Sequence, residues 1–417
     1  MVLMKNFNYF FGLNKFLTDG ISTMNDNDEQ DLYRNDNIIG NLGYNINKNI
    51  RLENSFRISD SVFNYDEVNK SRTDKNNSTN NLELSNSLKL IHEKNNLKNT
   101  LSYNKLHIER KTTAYDLAKT SYFGYRDAFN YLGEYNFSLD NKIVFGIDAE
   151  FDASRYPVDF GVSDKEHDEG IISQYFDFQI RPLKNLYSTF GLRSDDHTTA
   201  GRKMSGRTTL AYQLDSVSTI KSSFGAGVRF PAMYDYAYGS STIVDKGGAL
   251  EELQSERGLS FDLGYDTFFD KFDLNLSVTY FKSEQKNSLR STGKTDWVMR
   301  NTDGRNTSEG VEISGKWKPI NKKFGFNFGY TFSDTFDANT CEELEKASYS
   351  DNECRLYGSA VAQAKVRVPR HALKAKFNYI FNKNFESSLY GKYMSETRDF
   401  GNTNDGWTDQ ILDDYFV

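Results

Sequence analysis

Aliphatic side chains are scarce in this chain. Apolar residues make up 37% of its 417 positions, below the usual share for a soluble domain. No run of about 18 apolar residues occurs, which excludes a transmembrane helix. Positive charge is not in excess: the net charge is −7, and no basic stripe is present, so a nucleic-acid partner is excluded. The two cysteines, Cys341 and Cys354, lie in one polar stretch with no zinc spacing. In an oxidising compartment they could close a small loop by a disulfide; in the cytosol they would be two idle thiols. HExxH, CxxC, GxSxG, Walker and GxGxxG patterns are all missing. The five histidines (His92, His107, His167, His197 and His371) fall in five different segments and read as lumen or loop residues rather than catalysts. No enzyme activity is expected.

Aromatics, in contrast, are plentiful at 15%, with 32 Phe and 26 Tyr. Disordered chains are poor in aromatics, so the polarity here is not a mark of disorder. In KFGFNFGYTFSD, Phe324, Phe326, Phe328, Tyr330 and Phe332 take every second place, with Gly325, Asn327, Gly329, Thr331 and Ser333 between them. A strand sends successive side chains to opposite faces, so one face is an aromatic column and the other is small and polar. FDLNLSVTY (272–280), LELSNSLKL (82–90) and SYFGYRDAFNYLGEYNFS (121–138) repeat the alternation, and no comparable segment has a helical period.

About 17 such segments follow one another, near 4–14, 37–46, 49–60, 80–91, 96–110, 120–138, 142–153, 170–181, 185–195, 205–213, 217–227, 257–268, 272–285, 306–318, 323–334, 371–381 and 385–396. Many are about 10–13 residues long, the length of a tilted membrane-spanning strand. The opening MVLMKNFNYFFGLNKFL also reads as a strand, because Lys5, Asn6, Asn8 and Asn14 interrupt any signal-peptide core.

The connections alternate. Short ones rich in Asn, Asp and Lys (47–49, 93–96, 140–142, 183–185, 215–217, 270–272, 320–323, 382–384) suit tight hairpins. Between them come long polar ones: 15–36, 61–79, 111–119, 154–169, 196–204, 228–256, 286–305, 335–370 and 397–410. A soluble sandwich has no reason to keep that order, whereas an outer-membrane barrel has short periplasmic turns and long outer loops. The five prolines (Pro157, Pro182, Pro231, Pro319 and Pro369) sit in or beside connections, where a closed sheet tolerates them. The fold class is therefore all-β, a transmembrane antiparallel β-barrel whose apolar faces meet lipid and whose polar faces line a wet interior. One acidic cluster stands out, MNDNDEQD with Asp26, Asp28, Glu29 and Asp31; Asp60 and Asp66 belong to the next long connection. Calcium favours such crowded oxygens, while the bland reading is a solvated acidic loop.

Several stretches resemble TonB-dependent outer-membrane receptors. GVRFPAMYDYAYG (227–239), LQSERGLSFDLGYD (253–266), NTSEGVEISGKW (306–317) and RVPRHALKAKFNY (367–379) are similar to segments of that family. In the second, Ser255 stands where the family pattern has proline, and Asp262 stands for its second acid. FGLR followed by SDDH (194–197) resembles the RSDD stretch of the cobalamin (corrinoid) transporters within the family. That resemblance implies calcium held by early outer loops, here Asp26, Asp28, Asp31, Asp60 and Asp66, with no redox or organic cofactor. It also implies a monomer in outer-membrane lipid, a TonB contact made through a plug domain, and a large scarce nutrient as ligand. A corrinoid is the first expectation and a ferric siderophore or haem the alternative; a surface adhesion or glycan-binding protein is the alternative of another class. Against the family's roughly 22 strands, residues 1–417 read as one barrel domain of about 17–18 strands, without the plug and incomplete at both ends, so that a fragment is expected.

Overall fold

The computed structural model describes residues 2–3, 6–20, 30–65, 77–114, 118–156, 165–233, 235, 253–292, 298–301, 304–319, 323–337, 363–364, 367–403 and 406–416. The chain divides into two compact units, residues 1–176 with 193–203, and residues 177–192 with 204–417.

The first unit is an antiparallel ladder. It begins with β1 (Val2–Leu3), β2 (Phe7–Thr18), β3 (Tyr33–Asn45) and β4 (Ile50–Asn64), and continues through β5 (Ser78–Lys94), β6 (Leu97–Ala114), β7 (Ala118–Asn136) and β8 (Lys142–Tyr156). Each strand from β2 to β8 pairs with the next. The outer parts of β9 (Lys165–Leu183) and β10 (Leu186–His197) complete it, with the start of β11 (Gly201–Gln213).

In the second unit, β11 pairs with β12 (Ser218–Arg229), then β13 (Glu256–Phe269) and β14 (Leu274–Lys286). A small hairpin, β15 (Leu289–Thr292) and β16 (Val298–Asn301), precedes β17 (Asn306–Trp317), which pairs with β14. Next come β18 (Phe324–Asp337), β19 (Gln363–Ala364), β20 (His371–Asn382) and β21 (Phe385–Met394). A second hairpin, β22 (Thr397–Thr403) and β23 (Gly406–Leu412), precedes β24 (Tyr415–Phe416), which returns to β21.

Every predicted segment is a strand over its described residues, and the short connections are hairpin turns, save 320–323, most of which lies outside the described residues. Asn95, in the two-residue turn between β5 and β6, has a φ of 54°, which asparagine tolerates better than most residues. Three of the expected long connections are shorter than read. β6 runs to Ala114 and β7 starts at Ala118; β8 runs to Tyr156 and β9 starts at Lys165; β10 and β11 are separated only by Thr198, Thr199 and Ala200. The extensions carry polar residues on both faces, which read as loop in sequence. Two neighbouring strands can nevertheless stay hydrogen-bonded with water on both sides. Two other long connections contain the hairpins β15–β16 and β22–β23, which were not anticipated.

The register sorts the side chains. In the first unit Leu52, Leu90, Leu101, Tyr131 and Ile147 are successive partners across five strands, forming one apolar row. One step along, Arg51, Ile91, Thr100, Leu132 and Gly146 take the other face. In the second unit Tyr265, Val278, Ile313, Tyr330 and Leu373 form an equivalent row. Ala128 is the one hydrophobic residue in the buried class among those described, so no protein core lies behind these rows. Aromatic rings cover glycines on neighbouring strands. A Cβ at Gly40 would meet the Phe56 ring, one at Gly133 the Phe145 ring, and one at Gly315 the Phe328 ring. Ring and glycine fit together as a pair, which pins register.

Candidate functional site

The polar face of the first unit carries a hydrogen-bonded charge network. Asp148, Glu150 and Asp152 alternate along β8 and so share that face. Asn104 and Ser102 donate to Asn130 Oδ1, and Asn130 Nδ2 donates to Asp148 Oδ1 at 3.0 Å. From β10, Arg193 Nη1 donates to Asp148 Oδ2 at 2.9 Å, and its Nε donates to Asp195 Oδ1 at 2.7 Å. Ser173 Oγ donates to the same Asp195 oxygen at 2.6 Å, and the Arg193 guanidinium lies 5.4 Å from the centre of the Tyr175 ring. Higher on the wall, Arg126 grips Asp152 with two parallel bonds of 2.7 and 2.6 Å and reaches Glu150 at 2.9 Å. Two guanidiniums thus face four carboxylates, and the wall is acidic at this height.

At the outer end of β10, His197 is buried. Its Nδ1 accepts from Thr199 N at 3.2 Å and Ala200 N at 3.1 Å, so the imidazole caps the tight turn. His197 Nε2 lies 3.5 Å from Glu169, and His167 Nε2 lies 4.0 Å from the same carboxylate. Burial, with the neighbouring His167, holds His197 below the ordinary imidazole range.

The second unit has its own outer cluster. Glu256 opens β13 opposite Arg229, the last residue of β12. Arg229 Nε donates to Glu256 Oε2, while Leu289 N donates to Oε1 at 2.7 Å. Burial pushes the Glu256 carboxyl up, but the Arg229 guanidinium and the Leu289 amide outweigh it and hold the group below the ordinary carboxylate range. Asn301, the cross-strand partner of Leu289, ties down the second strand of the β15–β16 hairpin at the same base: its Nδ2 donates to Gln254 O and Asn287 O, both at 2.8 Å, and its Oδ1 accepts from Gln254 N at 2.6 Å. Both strands of the hairpin are therefore clamped at its base. Beside it is a concavity of 670 Å³ lined by Arg229, Glu256, Ser260, Ser283, Asn306 and Ser308, among others.

Of the calcium candidates, only Asp31 and Asp60 are among the described residues. Asp26, Asp28 and Asp66 lie outside them, as do Cys341 and Cys354. Asp60 accepts from Arg34 Nη2 at 3.3 Å, and Asp31 precedes β3. No group of three or more His, Cys, Asp or Glu is placed to hold a metal ion among the described residues. The histidine reading needs correction. His92, His107 and His371 share the apolar face with Leu90, Tyr125 and Phe332, and the His107 and His371 rings lie tilted against Tyr125 and Phe332 at 4.7 and 5.4 Å. An imidazole is amphipathic enough for the edge of an apolar band.

A family model for the TonB dependent receptor-like β-barrel matches residues 8–417. The chain belongs to the TonB-dependent receptor β-barrel family. Its place is the outer membrane, and in a barrel of that membrane the apolar face is the one turned to lipid and the polar face the one turned to the lumen. Over an alignment of 252 residues the chain is 22% identical to a probable TonB-dependent siderophore receptor, PirA, of Acinetobacter baumannii. That match takes in 54% of this chain and 32% of the relative, so the chain spans about a third of the length of that curated protein. Among solved structures, the FrpB iron transporter of Neisseria meningitidis is similar with a TM-score of 0.75 at 13% identity, over 99% of this chain and 69% of that one. The siderophore receptor PirA from Acinetobacter baumannii gives 0.75 at 14%, over 99% and 68%. The ferric enterobactin receptor PfeA of Pseudomonas aeruginosa gives 0.73 at 14%, over 99% and 67%. At these identities the likeness is one of fold. The family is one of receptors and transporters, not enzymes.

Proposed function

We propose that the complete protein takes up a ferric siderophore across the outer membrane, driven through TonB, with the plug inside the lumen described above. The observation that carries the reading is the match over residues 8–417, joined to a relative named as a siderophore receptor and to neighbours named as iron and siderophore transporters. The corrinoid reading rests on the Arg193–His197 stretch and on the acidic loops, of which Asp26, Asp28 and Asp66 lie outside the described residues. In the structure Arg193 and Asp195 are engaged with Asp148 and Ser173, and His197 caps a turn, so these residues serve the wall of the receptor. That use is not specific to a corrinoid.

The test is ligand competition on the full-length receptor. Labelled ferric catecholate and ferric hydroxamate siderophores should bind saturably and sustain iron-limited growth, and cyanocobalamin and haem should not compete. Saturable cyanocobalamin binding that ferric siderophores leave unchanged would restore the corrinoid reading. Uptake, but not binding, should vanish in a strain lacking TonB; uptake that persists there rules out the proposed energy source.

A further inference from the structure

We propose that the lipid face of the first unit holds one acyl chain of a phosphate-bearing membrane lipid in a built groove. The row Leu52, Leu90, Leu101, Tyr131 and Ile147 forms its floor. One row higher, Ala149 stands beside Phe129 where a larger side chain would close the space. The groove measures 640 Å³ and its wall is apolar. Water in such a groove would find no partners, and the medium outside this wall is hydrocarbon. A methylene chain fits both facts.

The outer end supplies the anchor. Tyr103, which also lines the groove, donates its hydroxyl to Asp127, and Lys105 Nζ lies 3.7 Å from Asp127 Oδ1. Lys105 is eight residues above Leu97, the first residue of β6. At about 3.3 Å per residue and a tilt near 40°, that is roughly 20 Å up, near the top of a lipid band about 25 Å tall. A charge on the lipid face is expected only at such an edge. The 3.7 Å separation holds the ammonium in place without saturating its three N–H groups, and its side chain is 57% exposed. Lys282 stands eight residues above Leu274 on the lipid face of the second unit, but is closed against Glu309 at 2.7 Å. Lys105 is therefore the better placed of the two to meet a lipid phosphate at the head of a chain-sized groove.

The test is native mass spectrometry of the delipidated full-length receptor titrated with palmitoyl-oleoyl phosphatidylglycerol. One lipid should survive activation that strips the rest. Ala149→Trp should abolish that adduct, Lys105→Gln should weaken it about fivefold, and Lys282→Gln should leave it unchanged. Heat-modifiable migration on gels checks that each variant is folded. Diacylglycerol with the same chains should bind as weakly as the lysine variant does. Equal adduct stability in all variants, or equal binding of diacylglycerol, overturns the proposal.

Discussion

Phe328→Arg tests the orientation of the wall most directly. Phe328 lies four residues beyond Phe324, the first residue of β18. Four steps raise it roughly 10 Å above the turn, near the middle of a lipid band about 25 Å tall. A lipid-facing arginine at that depth costs about 2–4 kcal/mol. The substitution also removes the ring that covers Gly315 on β17, a cross-strand contact of roughly 0.2–1 kcal/mol. Together these predict a loss of roughly 2–5 kcal/mol in folding free energy. The control is Asn327→Glu, one residue away at the same depth, with Lys316 and Lys376 as its cross-strand partners on the lumen face. It should change stability by less than about 0.5 kcal/mol. The assay is urea-titrated folding of the full-length receptor into phospholipid vesicles, followed by gel mobility. A neutral Phe328→Arg, or an Asn327→Glu change as costly as it, would refute the assignment of faces throughout the second unit.

The remaining predictions concern the lumen wall and the outer end. Arg193→Ala should cost about 1 kcal/mol, the modest figure set by its partial exposure, and Arg193→Lys should not rescue it, because one ammonium cannot reproduce bonds from Nε and Nη1 to two carboxylates; chemical denaturation of the three proteins decides. Glu256→Ala should free the Leu289 amide and leave Arg229 only Asp235, so limited proteolysis within the β15–β16 hairpin should quicken at least several-fold while global stability falls little; an unchanged cleavage rate would contradict the clamp. Because folding lowers the affinity of His197 for protons, the unfolded form protonates first as pH falls through about 6.5, so the stability of this turn is full above that value and declines below it. Hydrogen exchange at Thr199 and Ala200, corrected for intrinsic pH dependence, should show protection falling as the medium acidifies, and His197→Asn should remove that pH dependence.

The fold was legible because alternation is local. KFGFNFGYTFSD shows its two faces without reference to any other strand, and the aromatic column does share a face with Ile313, Leu373 and Phe377. Strand ends were harder to read. Above the lipid, RKTTA at the end of β6 has no apolar face, yet Lys111, Thr112 and Thr113 keep their partners on β7. The lumen network was not legible at all. Asp148 and Arg193 are 45 residues apart and meet only through the register of the strands between them. Arg229 and Glu256 offered a clearer signal, since both stand at strand ends flanking one predicted loop. Their two stretches drew notice for a likeness to a family rather than for their opposite charges.

Asn54 and Asn86 sit on the lipid face, and each amide donates to the other, at 3.2 and 3.3 Å. Asn54 Nδ2 also reaches Ser87 O at 3.3 Å, so the hydrocarbon meets two amides that need little from it. Replacing Asn54 by leucine strands the Asn86 amide, replacing Asn86 leaves Asn54 its bond to Ser87 O, and replacing both removes the need for a partner. This patch of wall therefore has an order built into it: a purely aliphatic version is reachable, and the less costly first step is at Asn86, which leaves Asn54 a backbone partner.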